Sequence, residues 1–267
     1  MKMLYHFFRI IILHNSLISQ TDDNKSKKLE KIPKLPSMLF VGIPGPGLIG
    51  ILALNYVIHS FKMDIVEEIE HSDLSNIIFI DNGEIYGPVR IYKKNALYVV
   101  VSDVPIDYVL AEDFTESIID FSKKNKIAVI VFLGGINKAD RNLENLKTYG
   151  LVTDEKLDKV LYENEIPKFL SGMIAGPDAT ILTKLKNSPV PTIVLFTECN
   201  LFFPDPEAAI HSINTISRIL KTEIDITEFK KQIDFLRLQS RQLMEDTLTI
   251  LNPEKTKPAI PAPQIYK

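Results

Sequence analysis

Apolar residues along this chain follow two rhythms. Short continuous runs rich in β-branched side chains alternate with longer stretches in which apolar positions recur every three or four residues. The runs at 38–43 (MLFVGI), 97–101 (LYVVV), 127–133 (IAVIVFL) and 192–196 (TIVLF) predict strands, the second buried on both faces of a sheet and the third another buried strand. Shorter runs at 65–69, 77–80 and 89–92 predict further strands, with Asp81, Asn82 and Gly83 supplying a turn. Helices are predicted over 48–61, over 113–124, where Phe114, Ile118 and Phe121 share a face, and over 178–186. Asp205 before Pro206 and Glu207 reads as an N-cap with proline at the first helical position, opening a helix to residue 220. Asp225 and Glu228 resemble a capping box. Phe229, Ile233, Leu236, Ser240, Leu243, Thr247 and Ile250 then alternate in spacings of four and three, a heptad seam that faces either the chain's own domain or another subunit.

Strands alternating with helices imply βαβ units, so the expected class is α/β with a mostly parallel central sheet and helices on both sides. The organisation reads as an N-terminal extension over 1–34, a folded body with a C-terminal helix over 35–251, and a tail over 252–267. Residues 1–20 are apolar and basic, like a signal peptide. However, Arg9, His6 and His14 interrupt the run, no small-x-small cleavage site follows, and the run is too short and too polar to span a bilayer. Residues 21–28 form a charged linker, and Met38, at the head of the first strand, is an alternative start. The tail, NPEKTKPAIPAPQIYK, holds four prolines and no apolar period. It is expected to form a stiff, exposed arm that reaches roughly 50 Å at about 3.1 Å per residue.

Composition narrows the function. With 31 Lys and Arg against 34 Asp and Glu, the 267-residue chain carries a formal charge of −3. That leaves no basic field for nucleic acid or for a polybasic membrane contact. Its length can bury a sizeable core without metals or disulfides. The single cysteine, Cys199, excludes an intramolecular disulfide framework and suits a reducing cytoplasm.

The loop Gly45-Pro46-Gly47-Leu48-Ile49-Gly50 matches G-x-G-x-x-G between a strand and a helix, with Asp64, Glu67 and Glu68 near the expected place of a ribose-binding acid. Pro44 and Pro46 remove N–H donors from the phosphate-cradling position, and glycines that let a helix approach a strand explain the same residues without a ligand. The five histidines, His6, His14, His59, His71 and His211, are scattered. The chain has no H-E-x-x-H, C-x-x-C or G-x-S-x-G pattern, so no metal or hydrolytic centre is indicated. Asp103 follows a buried strand and is either a ligand contact or a turn residue. Cys199 is either a strand-end nucleophile or a small buried thiol. Gly172, Gly176 and Asp178 mark another strand-to-helix turn, whose plain reading is close packing and an N-cap. The enzyme alternative is a nucleoside phosphorylase or hydrolase, or a dinucleotide-binding protein using the Gly45 to Gly50 loop.

The tip of the tail offers an apolar anchor at Ile265, a ring with a hydroxyl at Tyr266 and the terminal carboxylate at Lys267, a set suited to a partner's pocket. From about Leu35 to Leu251 the chain resembles the proteasome assembly chaperone family in its archaeal form. The resemblance rests on the Val41 to Gly50 segment, Ser102-Asp103-Val104-Pro105, Leu133-Gly134-Gly135, the Ser171 to Asp178 segment, and Glu198 followed by Pro204 to Ala209. It implies a three-layer α/β/α, phosphorylase/hydrolase-like core in which Gly42, Gly45, Gly47 and Gly50 form a structural loop. It further implies a homo-oligomer such as a tetramer, with no cofactor, no metal and no catalysis. In similar proteins a C-terminal hydrophobic-Tyr-X tripeptide enters pockets between α subunits of the proteasome core particle. Here that role falls on Ile265, Tyr266 and Lys267, and the implied function is a cytoplasmic assembly chaperone or activator.

Overall fold

The structure, a computed structural model, describes residues 36–74, 77–81, 83–138 and 145–251. The apolar runs form the strands β1 (Met38–Gly42), β6 (Leu97–Ser102), β7 (Val129–Asn137) and β9 (Thr192–Cys199), which lie side by side and parallel in the order β6-β1-β7-β9. Antiparallel strands extend this centre on both sides. β5 (Val89–Lys94) and then β2 (Asp64–Glu68) lie beyond β6, and β8 (Thr148–Val152) lies beyond β9. The result is a mixed, mostly parallel seven-stranded sheet, with β3 (Phe79–Asp81) and β4 (Glu84–Tyr86) forming a separate hairpin.

The pleat sorts alternate residues to opposite faces. Phe40, Val99, Val131 and Ile193 enter one core, against α1 (Ile49–Phe61) and α5 (Pro206–Leu220). Leu39, Val41, Val100, Ile130 and Val194 enter the other, against α2 (Leu110–Lys124) and α4 (Pro177–Lys186). Both faces are therefore dry, which explains why these strands read as unbroken apolar runs.

Three elements lie where the apolar pattern predicted none: β4, β8 and the short helix α3 (Asp158–Glu163). The single helix expected after Asp225 is three: α6 (Thr227–Lys231), α7 (Ile233–Gln239) and α8 (Arg241–Leu251). The breaks fall at Gln232 and Ser240, polar positions between the helices. At the expected capping box the structure places Ile226 rather than Asp225 at the N-cap of α6. Asp225 Oδ1 accepts from Thr227 N at 2.9 Å, while Glu228 Oε1 accepts from Gln232 Nε2 at 3.0 Å. The seam nonetheless keeps its face: Phe229, Leu236 and Leu243 join the α1/α5 core, so it packs on its own domain.

Asp205 caps α5 as predicted, accepting from Ala208 N at 3.2 Å through Oδ1 and from Asn200 N at 2.8 Å through Oδ2. This buried carboxylate ties the end of β9 to the start of the helix. Asp205→Ala is expected to cost about 2 kcal/mol, the sum of a lost cap and two stranded donors. Urea denaturation checks this, and a loss under about 0.5 kcal/mol would contradict it.

Candidate functional site

The loop joining β1 to α1 leaves the carboxyl end of the sheet and is held there by close backbone approach. A Cβ placed on Gly42 would stand 2.7 Å from Gly50 O, and one on Gly50 would stand 2.8 Å from Leu133 O. From the β7 side, a Cβ on Gly135 would meet Pro46 O at 2.3 Å and Cys199 Sγ at 2.6 Å. Gly47 has φ +64 and lies against Cys199, and its carbonyl accepts from Asp205 N at 2.9 Å. The faces of Gly42, Gly47 and Gly50 are thus filled by protein rather than open to a pyrophosphate. Asp64, Glu67 and Glu68 lie on β2, three strands from β1, which is roughly 14 Å at 4.8 Å per strand. The carboxylates named for a ribose contact are therefore not beside the loop, because β5 and β6 intervene. Gly45 differs from its neighbours. A Cβ there would find only Ile43 O at 3.9 Å and Asp178 Oδ2 at 4.0 Å.

Three buried carboxylates besides Asp205 stand at the same end of the sheet. Asp103 bonds through Oδ2 to Arg90 Nη2, and its Oδ1 is buried without a partner among the described residues. Arg90 also donates to Tyr92 OH at 2.9 Å and Gly87 O at 3.1 Å, and lies 5.4 Å from the centre of the Phe79 ring. Burial pushes the Asp103 carboxyl up to about 7, against the opposing pull of the guanidinium. Glu198, 1% exposed, accepts from Lys138 Nζ at 2.6 Å, Tyr149 OH at 3.0 Å and Lys147 N at 3.3 Å. Burial alone would raise its carboxyl, but these donors hold it below the usual glutamate value. Asp178, 9% exposed on the first turn of α4, accepts no hydrogen bond among the described residues, and burial alone pushes it up to about 6.

The remaining candidates do not converge. Cys199 is buried among Gly47 and Gly135, a packed thiol rather than an exposed nucleophile. His71 pairs with Asp113 at 3.0 Å, His59 stacks near Tyr56, and burial lowers the pKa of His211, while His6 and His14 lie outside the described residues. No group of three or more His, Cys, Asp or Glu suited to a metal ion occurs among the described residues. Gly172 packs on Phe169, and Gly176 touches Leu251, the last described residue, which places the root of the tail beside α4. Ile265, Tyr266 and Lys267 lie outside the described residues. Arg90, Lys138 and Tyr149 carry no motif. Only an arginine inside the apolar run Val89 to Tyr92 hinted that a buried acid would face it.

The two ends of the sheet differ in character. Ile77, Ile78, Ile80, Ile85, Tyr108, Val109, Phe202 and Phe203 are all exposed and all lie on segments at the carboxyl end of the parallel strands. The turns at the opposite end, over 62–63, 95–96, 125–128 and 187–191, expose no large apolar side chain. Monomers seldom leave so much apolar surface in water on one side.

Two outcomes follow from these contacts. Gly42→Ala is expected to lose about 2–4 kcal/mol, because backbone blocks the new methyl. Gly45→Ala, with φ −151 and only ordinary van der Waals contacts for the new methyl, should stay within about 0.5 kcal/mol of the parent in the same denaturation experiment. Asp178 supplies a pH test. Its folded value of about 6 lies above the ordinary 3.8, so the folded state holds the proton more tightly, and the resulting stability is full below pH 3.8 and lost as pH rises to 6. Asp178→Asn should therefore raise stability at pH 7.5 by up to about 3 kcal/mol, a gain that fades toward pH 4. A gain independent of pH would contradict this.

The relatives agree with this architecture. The uncharacterized protein MJ0106 of Methanocaldococcus jannaschii is 24% identical over 232 residues, covering 86% of this chain and 95% of that protein. The solved structure of Pyrococcus furiosus PbaA, described as an archaeal homolog of proteasome-assembly chaperone, superposes with a TM-score of 0.74 at 21% identity over 81% of this chain and 96% of PbaA. P. furiosus PbaB, described as an archaeal proteasome activator, gives a TM-score of 0.64 at 21% identity over 79% of this chain and 95% of PbaB. Both likenesses establish the fold. Residues 39–244, from the second residue of β1 into α8, match the PAC2 family model, and the chain therefore belongs to the PAC2 family.

Proposed function

We propose that this chain is a non-enzymatic, self-associating adaptor that binds the proteasome core particle through its C-terminal tripeptide and acts as an assembly chaperone or activator. The observation that carries this reading is the pairing of a PAC2 body with a proline-rich extension ending in Ile265-Tyr266-Lys267. The fold's likeness to a chaperone homolog and to an activator supports the choice of partner.

The division of labour is physical. Ile265 supplies apolar burial, Tyr266 a rigid ring with a hydroxyl, and Lys267 its main-chain carboxylate, which meets a lysine in a pocket between α subunits. A proline-rich arm loses little conformational entropy on docking. One tripeptide binds weakly, and several arms on one rigid assembly raise the effective concentration of each. The apolar carboxyl end of the sheet is the surface that favours self-association.

Removing residues 265–267 is expected to abolish co-sedimentation with an archaeal core particle while leaving the oligomeric state and thermal stability unchanged. Peptide hydrolysis in the same mixtures separates the roles: tail-dependent stimulation marks an activator, and tail-dependent binding without stimulation marks an assembly factor. Undiminished binding by the truncated chain would overturn the proposal.

A further inference from the structure

We propose that the outer face of the β3–β4 hairpin is covered by the same face of a second copy of this chain, across a two-fold axis. This deepens the self-association put forward above and rests on it. The hairpin pairs Phe79 with Tyr86 and Ile80 with Ile85, so its side chains alternate between an inner and an outer face. Phe79 points inward, buried, with the Arg90 guanidinium 5.4 Å from the centre of its ring. Ile80 and Ile85 stand opposite each other on the outer face, 55% and 65% exposed, and Ile78, two residues before Ile80, is 58% exposed. A strand with one face in water ordinarily carries polar residues there. In this chain the strands that are apolar on both faces, β1, β6, β7 and β9, are covered on both sides. The hairpin instead turns its isoleucines to the side that nothing covers among the described residues.

Three observations select a second copy as the cover. The first is chemistry: Ile78, Ile80 and Ile85 offer no charge and no hydrogen-bonding side chain by which a different partner could be chosen, and such a face is complementary to itself. The second is area. Asp103 N donates to Pro88 O at 2.8 Å, so the segment leading to Tyr108 and Val109, both exposed, starts beside the root of the hairpin. At about 200 Å² for a fully exposed large side chain, these two and Ile77, Ile78, Ile80 and Ile85 leave roughly 700 Å² uncovered, close to the about 800 Å² that each partner buries in a standard interface. The third is architecture. A two-stranded hairpin is marginal in water, and a second hairpin packed on its apolar face supplies the layer that it lacks. Two-fold pairing also closes the contact, so no uncovered copy of the face is left to recruit further chains. The contact uses no residue of the tail.

The test is the mass of the full-length chain by sedimentation equilibrium, for the parent and for two charged variants, Ile80→Glu/Ile85→Glu and Ile80→Lys/Ile85→Lys. Each variant should fall to half the parent's mass or less and keep the parent's circular dichroism, since both positions are exposed in the single chain. Mixing the two should restore a complex holding one of each, because opposite charges then meet across the axis. Ile80→Thr/Ile85→Thr, which keeps β-branched side chains in the hairpin, should weaken association at least tenfold. Parent-like mass in all three variants overturns the assignment of this face while leaving self-association through another surface standing. Charged variants that dissociate and do not recombine overturn the two-fold pairing. A parent that stays monomeric at its highest soluble concentration overturns this inference and self-association together, and leaves the tail's role to the co-sedimentation experiment.

Discussion

The structure depends on how closely one loop can approach the sheet. Gly42, Gly50 and Gly135 bring the β1 to α1 connection so near the ends of β1 and β7 that a single methyl group at any of them would meet backbone oxygen. Dense packing of this kind transmits any added volume to its neighbours. Because Gly47 O also receives the Asp205 amide, the same contact sets the end of β9 and the start of α5. α1 and α5 can then cover one face of the sheet together, and the strands beneath them can be apolar throughout.

The same approach explains why a glycine pattern shared with dinucleotide-binding loops serves another purpose here. In a nucleotide cradle, glycines leave room for phosphate and present N–H groups to it. Here the room beside Gly47 and Gly50 is filled by Cys199, Asn200 and Leu133, two donors are lost to proline, and the nearby acids of the sequence lie across β5 and β6. The body is a scaffold whose polar groups mostly hold one another: Arg90 with Asp103, and Lys138 and Tyr149 with Glu198.

Much of this was legible in the sequence, for a definite reason. Strands buried on both faces must be apolar at every position, so β6, β7 and β9 announce themselves, and Asp205-Pro206 marks a helix start by local chemistry alone. What was hidden depends on partners distant in sequence. β8 exists because Thr148–Val152 pairs with β9 some forty residues later. The sheet order that separates Glu67 from Gly45 is set by the antiparallel placement of β5. The seam after Asp225 was correctly spaced but breaks at Gln232, next to the seam position Ile233, and at Ser240, where a polar residue stands in place of an apolar anchor. The role of Ile265, Tyr266 and Lys267 is read from the sequence alone, since these residues lie outside the described ones.

The central claim is that partner recognition resides in the tail and that the body multiplies it. A synthetic peptide of residues 252–267 competing with the full-length protein for core particle tests this most directly. The account predicts complete displacement, at peptide concentrations at least a hundredfold above that of the assembled protein, and no displacement by a peptide ending at Gln264. Core particle that stays bound to the body at saturating peptide would contradict it.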